Sequence, residues 1–195
     1  MEGILAAFGV SFAVIFVAEL GDKSQLMAMT FATRFRLLPV LAGITAATAV
    51  VHAVSVGIGY GLGIALPTGP ISLLAGIAFI GFGLWTLRGD SLTEKEKTAA
   101  ERSTAAAFWT VAGTFFLAEL GDKTMLATVT LATQYGWFGT WLGSTVGMVV
   151  ADALAIIVGR LLGRHLPEKV IKYGAAGLFA LFGIWLIAEG IQQVR

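Results

Sequence analysis

The hexapeptide Ala-Glu-Leu-Gly-Asp-Lys occurs twice, at residues 18–23 and 118–123, each time inside a long apolar stretch. Glu19, Asp22, Lys23, Glu119, Asp122 and Lys123 are thereby committed to a hydrocarbon-like environment. A charged side chain at a bilayer centre costs about 2.5–3.5 kcal/mol on insertion scales, so such residues mark ion or substrate pathways. Carboxylates are hard oxygen ligands suited to Mg²⁺, Ca²⁺ and Mn²⁺, whereas Zn²⁺ and Cu⁺ recruit His or Cys. The four acids Glu19, Asp22, Glu119 and Asp122 are therefore the candidate cation ligands. With Lys23 and Lys123 they leave a formal charge of −2, the complement of one divalent cation or two protons. Crowded like charges in a low dielectric do not all ionise together, so protons and a cation become alternative occupants. Cation entry that expels protons is the elementary step of cation/proton exchange. Lys23 and Lys123 are expected to tether the carboxylates through salt bridges rather than to touch the cation. The competing reading, two Glu–Lys locks between helices, is weak because buried ion pairs stabilise poorly.

If the motif is helical, Glu19, Asp22 and Lys23 stand at i, i+3 and i+4 and share a face, with Thr30 and Thr33 continuing near it and Gln25 and Met29 flanking it. The second copy repeats this with Glu119, Asp122, Lys123, Thr130 and Thr133. Gly21 and Gly121 sit inside the motif and mark where a helix break or a close helix approach would fall. A second pair, His52 and Asp152, shares the same offset in later apolar segments. Thr45, Thr48 and Ser55 lie near His52, and Ser144 and Thr145 near Asp152. This pair could extend the site or carry protons, or form an ordinary interhelical hydrogen bond.

The elements that must position these residues are membrane helices. The chain is 57% hydrophobic and 13% charged, which excludes an ordinary soluble domain. Segments 4–33, 38–66, 70–88, 104–133, 138–166 and 170–190 each approach the ~20 apolar residues that span a bilayer. Aligning residue n with n + 100 requires no gap from Phe16 to Trp85 and leaves about a third of positions identical, including Pro67/Pro167 and Trp85/Trp185. The chain is thus a duplication, with a first repeat over 1–88, a linker over 89–103 and a second repeat over 104–195. An odd number of spans per repeat inverts the second against the first. The basic residues agree: Arg34, Arg36, Arg88, Lys95, Lys97, Arg102, Arg160, Arg164, Lys169 and Lys172 fall on one side, which reads as cytoplasmic, and loops 67–70 and 134–138 carry none. The expected fold is an all-α integral membrane protein of six transmembrane helices in two inverted three-helix repeats, both termini outside and the linker cytoplasmic. Ser91 and Glu94 could cap a short helix within that linker. The start, Met1-Glu2-Gly3, lacks a basic leader region, so the first apolar run reads as a retained helix.

Glycine pairs such as Gly57/Gly61, Gly59/Gly63, Gly139/Gly143/Gly147 and Gly159/Gly163 suit close helix packing. Trp85, Trp109, Trp137 and Trp185 fit interfacial anchoring. Met27, Met29 and Met125 read as core packing, and His165 as interfacial.

Glu-Leu-Gly-Asp-Lys-Ser at 19–24 and Glu-Leu-Gly-Asp-Lys-Thr at 119–124 fit the pattern E-x-G-D-[KR]-[ST]. Two such motifs in a duplicated membrane chain closely resemble the Gdt-type cation/proton antiporter family, which includes bacterial manganese exporters and Golgi and chloroplast manganese/calcium transporters. The resemblance covers essentially the whole chain. It implies Mn²⁺, and Ca²⁺ as a second candidate, leaving the cytosol in exchange for protons, with roles for Glu19, Gly21, Asp22, Lys23, Ser24, Glu119, Gly121, Asp122, Lys123 and Thr124. Gln25, His52 and Asp152 rest on position alone. The implied partners are the metal ion, protons and the lipid bilayer, with no nucleic acid, no prosthetic cofactor and no enzymatic activity; the short chain favours a bacterial inner membrane. A divalent cation channel or an exporter of a small organic cation could use the same acidic site. An intramembrane aspartyl protease is disfavoured, since Glu19 stands where the G-x-G-D pattern has glycine.

Overall fold

The computed structural model describes residues 2–65, 67–88, 107–162 and 168–194. The linker 89–103, with Ser91 and Glu94, lies outside the described residues, as do Gly163, Arg164 and His165.

Within the described residues the protein is all helical: α1 (Glu2–Glu19), α2 (Lys23–Arg34), α3 (Leu37–Ala65), α4 (Thr68–Arg88), α5 (Ala107–Glu119), α6 (Lys123–Gln134), α7 (Trp137–Leu162) and α8 (Glu168–Val194). Pro39 and Pro70 occupy first turns, where a missing N–H costs nothing. The expected segments 4–33 and 104–133 are each split in two at the motif. α1 and α2 are bent by 75° across the break. Three helices, α3, α7 and α8, are long and apolar enough to cross a membrane alone, and the bent pair α1–α2 makes a fourth. The apolar parts of α4 and α5 are shorter, over Gly69–Trp85 and Ala107–Glu119. Many large apolar side chains face outward, among them Leu74, Leu117, Leu181 and Trp109, as lipid-facing surfaces require.

The two repeats are interleaved rather than side by side. α1 packs on α7, and its counterpart α5 on α3; likewise α2 packs on α7 and α6 on α3. Individual contacts exchange under the same shift. A Cβ at Gly43 would meet Phe108 and one at Gly143 would meet Phe8; Gly59 lies against Val129 and Gly159 against Met29. Phe79 stacks edge-on to Phe182 at 4.8 Å, and Phe82 to Phe179 at 6.1 Å. Two residues meet their own counterparts: Phe79 and Phe179 at 5.8 Å, and Thr48, which donates to Met148 Sδ at 3.4 Å. These mark a pseudo-two-fold axis. α4 and α8 run antiparallel across it, since Gly69, Gly76 and Gly83 approach Val194, Gly183 and Ala176 in turn.

Helix packing separates the glycines into two groups. Those at 59, 63, 139, 143, 147 and 159 lie against a neighbouring helix, whereas a Cβ at Gly57 or Gly61 would meet nothing within 4 Å. The expected role of the Gly57/Gly61 pair in packing is therefore corrected: that face is open.

Candidate functional site: a paired elbow on the pseudo-two-fold axis

The motif is an elbow, not a helix. α1 ends at Glu19, Gly21 turns at φ +76°, and α2 begins at Lys23; Gly121 adopts the same +76° in the second copy. That conformation suits glycine, because a Cβ clashes with the backbone there. The elbow is closed by the Asp22 N–H donating to Glu19 O and the Asp122 N–H donating to Glu119 O, both at 3.1 Å. The expectation that Glu19, Asp22 and Lys23 share one helical face is therefore corrected. Glu19 ends one helix, and Asp22, in extended conformation, caps the next by accepting from Lys23 N at 2.8 Å. Asp122 has the same backbone conformation without a side-chain cap bond.

Each elbow is held by the side chain four residues after its glycine. Gln25 Oε1 accepts the Gly21 N–H at 2.8 Å, and Met125 Sδ accepts the Gly121 N–H at 3.1 Å. Met125 is thus an elbow ligand rather than plain core packing. Gln25 has a second bond that a methionine cannot form: its Nε2 donates to Ala151 O on α7 at 3.1 Å.

The two elbows meet. Lys123 Nζ lies 3.1 Å from Asp22 Oδ1, and Lys23 Nζ lies 3.4 Å from Asp122 Oδ1. The tethers expected of the lysines exist, and each reaches the aspartate of the other repeat. The pairs are unequal: the Lys123 side chain is 3% exposed and that of Lys23 19%. Each glutamate is held within its own repeat, Glu19 accepting from Ser24 Oγ and Glu119 from Thr124 Oγ1 at 2.9 Å. All four acids are buried, and Glu119 lies within electrostatic range of Glu19, Asp22 and Asp122.

Glu19 Oε2 and Glu119 Oε1 have no hydrogen-bond donor although both are buried. A buried carboxylate oxygen without a donor is costly unless a proton or cation serves it. Among the described residues, no three His, Asp or Glu side chains are grouped closely enough to hold a metal ion as they stand. In this arrangement the lysine ammonium groups occupy positive positions beside the two aspartates.

His52 and Asp152 are both fully buried, on α3 and α7. Neither oxygen of Asp152, nor Nδ1 of His52, has a hydrogen-bond partner. Glu19 and Asp22 act electrostatically on Asp152. Of the surrounding hydroxyls, Thr45, Ser55 and Ser144 donate to backbone carbonyls of their own helices, whereas the buried Thr145 Oγ1 has no partner. Thr30, Thr33, Thr130 and Thr133 each donate to a carbonyl of their own helix as well. Met148, beside Thr48 on the axis, is a near neighbour that the sequence did not distinguish; its offset of 100 from Thr48 was the available signal.

A family model described as "Divalent cation/proton antiporter GDT1" matches the chain twice, over residues 7–94 and 107–194. The chain belongs to the GDT1 family of divalent cation/proton antiporters. This GDT1 protein is 31% identical over 186 residues to the "Putative manganese exporter" of Vibrio cholerae, covering 94% of this chain and 91% of that one. It is 32% identical to "GDT1-like protein 2, chloroplastic" of Oryza sativa, covering 92% of this chain and 60% of the relative. To "Protein PAM71, chloroplastic" of Arabidopsis thaliana it is 30% identical, covering 95% and 58%. It thus spans nearly all of the bacterial relative and about three-fifths of the chloroplast ones. No solved structure gives a match. As a GDT1 antiporter with extensive apolar helices, the chain is a membrane protein that moves ions.

Proposed function

We propose that this antiporter exchanges Mn²⁺, with Ca²⁺ as the second candidate, for protons, and exports the metal from the cytosol. Glu19, Asp22, Glu119 and Asp122 form one shared site, occupied alternately by cation and protons. The observation that carries this reading is the reciprocal pairing of Lys123 with Asp22 and of Lys23 with Asp122. It joins two elbows a hundred residues apart into one charge cluster on a pseudo-two-fold axis.

In this arrangement the two ammonium groups neutralise the aspartates. An entering divalent cation competes with them for Asp22 and Asp122 and recruits the donor-free oxygens of Glu19 and Glu119. Protons on the glutamates leave as it binds, and their return releases the metal. Because Gly21 and Gly121 form the hinge of each elbow, α1 and α2, or α5 and α6, can tilt relative to one another without unfolding. Broken helices at the interface of antiparallel repeats are how many secondary transporters build such sites. The antiparallel α4 and α8 support an inverted pair of three-span repeats, and the one-sided lysines and arginines support a cytoplasmic linker at 89–103 with both termini outside. The bacterial relative, named for manganese export, favours Mn²⁺ and the plasma membrane of a bacterium.

The test is uptake into proteoliposomes against a metal gradient, driven only by a pH difference, with Mn²⁺, Ca²⁺, Mg²⁺ and small organic amines in competition. Accumulation of Mn²⁺ above its external concentration is expected. Flux that only dissipates the metal gradient would identify a channel, and accumulation of amines but not metals would identify an organic cation exporter.

A further inference from the structure

The pseudo-symmetric site is unequal in one respect. At the position where the first repeat has His52, the second has Asp152, and at the position where the second has Met125, the first has Gln25. These two differences meet at one place. Gln25, while closing the first elbow through Gly21, reaches across to the carbonyl of Ala151, the residue next to Asp152. The first elbow is thereby fastened to the helix that carries Asp152. Met125 closes the second elbow with a sulfur that cannot donate, so the corresponding tie toward the neighbourhood of His52 cannot form.

Asp152 is fully buried, and both of its oxygens lack a hydrogen-bond donor. Every other buried carboxylate of the cluster has at least one hydroxyl, amide or lysine partner: Glu19 has Ser24, Glu119 has Thr124, Asp22 has Lys123 and Asp122 has Lys23. Glu19 and Asp22, both of the first elbow, act electrostatically on Asp152. A buried carboxylate with no protein donor, on the helix to which the first elbow is fastened through Gln25, has the chemistry of a hard-cation ligand awaiting its ion.

We propose that Asp152 is a direct ligand of the transported divalent cation, which sits off the pseudo-two-fold axis toward the first elbow. Gln25 is the positioning residue that fastens the first elbow to the helix carrying Asp152. Resting on the reading of the elbows as the transport site, this adds a fifth carboxylate to it and assigns the metal to one side. The His52 side offers a neutral nitrogen ligand at most, and hard divalent cations prefer oxygen. An off-axis seat also means that the two elbows are not interchangeable in the cycle.

The test is equilibrium Mn²⁺ binding to the full-length protein in detergent, by calorimetry or a radiometal assay, for wild type, Asp152→Asn, Asp152→Glu, Gln25→Met and His52→Asn. Asn is isosteric with Asp and loses no protein hydrogen bond, so thermal unfolding without metal is expected to match wild type. Removing one charged ligand is expected to weaken Mn²⁺ about tenfold or more in Asp152→Asn, because affinity at hard-cation sites follows ligand charge count. Asp152→Glu, which keeps the carboxylate, restores part of the loss, and Gln25→Met weakens binding by less than Asp152→Asn. His52→Asn is expected to lose less affinity than Asp152→Asn. Asp152→Asn binding Mn²⁺ within about twofold of wild type, or His52→Asn losing as much, would overturn the off-axis seat while leaving the antiporter reading intact; these margins are set by the same charge-count expectation. Should Asp152→Asn not fold, Asp152→Glu decides alone, since an altered Mn²⁺ affinity supports ligation and an unchanged one opposes it. A wild type that binds no Mn²⁺ would remove the transport reading and this inference with it.

Discussion

Replacing Lys123 by methionine tests the unequal cross-pairing of the elbows. Methionine keeps most of the lysine volume and removes the charge, leaving the Asp22 carboxylate beside an apolar group. The pair is 3.1 Å apart, with side-chain exposures of 3% and 0%. Removing one partner of a buried pair costs about 3–5 kcal/mol, chiefly because the remaining charge stays desolvated. The Lys23–Asp122 pair is longer, at 3.4 Å, and the Lys23 side chain is 19% exposed, so the pair is less completely buried. Its loss lies between the exposed and buried limits, at about 1–3 kcal/mol. Unfolding of the purified protein in mixed micelles, followed by circular dichroism, measures both variants under one condition. Lys123→Met is expected to be the less stable. The double variant Lys123→Met/Asp22→Asn should recover part of the loss, because it removes the stranded charge as well. A Lys23→Met variant that is as destabilised as Lys123→Met, or a double variant whose loss equals the sum of the singles, would refute the geometry and the coupling respectively.

Three further outcomes follow from the same structure. Gly121→Ala would meet no atom within 4 Å but must hold φ at +76°, so a loss of about 1–2 kcal/mol from backbone strain alone is expected, read as a lower unfolding midpoint. Gly59→Ala drives a methyl group into the Val129 carbonyl and should destabilise by about 1–3 kcal/mol, whereas Gly57→Ala, on an open face, should be neutral or slightly stabilising; equal effects would contradict the assigned packing. With no native cysteine, Arg36→Cys and Gly136→Cys can be labelled singly in intact cells, and only Gly136→Cys is expected to react with an impermeant reagent from outside. Labelling of both from the same side would exclude the inverted topology.

The helix framework was largely legible because hydrophobic length, proline in first turns and a gapless hundred-residue repeat are local or arithmetic signals. The site was legible in composition and in the place of its break, at Gly21 and Gly121, but not in which side chains the break brings together. Spacing of i, i+3 and i+4 presumes an unbroken helix, and Gly21 at positive φ turns Glu19 and Asp22 into the end of one helix and the cap of the next. That each lysine has a carboxylate partner could be argued from burial cost. That the partner is the other repeat's aspartate could not, because the choice is made by the packing of α3 and α7 against the opposite elbows. The glycines failed for a different reason. Gly57 and Gly59 lie two positions apart on α3, and one faces open surface while the other faces α6. In lipid both faces are apolar, so no hydrophobic stripe distinguishes them. Met125 as an acceptor of a backbone N–H was hidden because thioethers seldom take that role; only its alignment with Gln25 pointed to it.

If both elbows make one site, each glutamate is indispensable. Mn²⁺ accumulation driven by a pH gradient, measured for wild type, Glu19→Gln and Glu119→Gln in proteoliposomes at matched protein density, decides this. Either single substitution is expected to abolish accumulation, because each removes a carboxylate from the same charge cluster. Wild-type rates in either variant would contradict it.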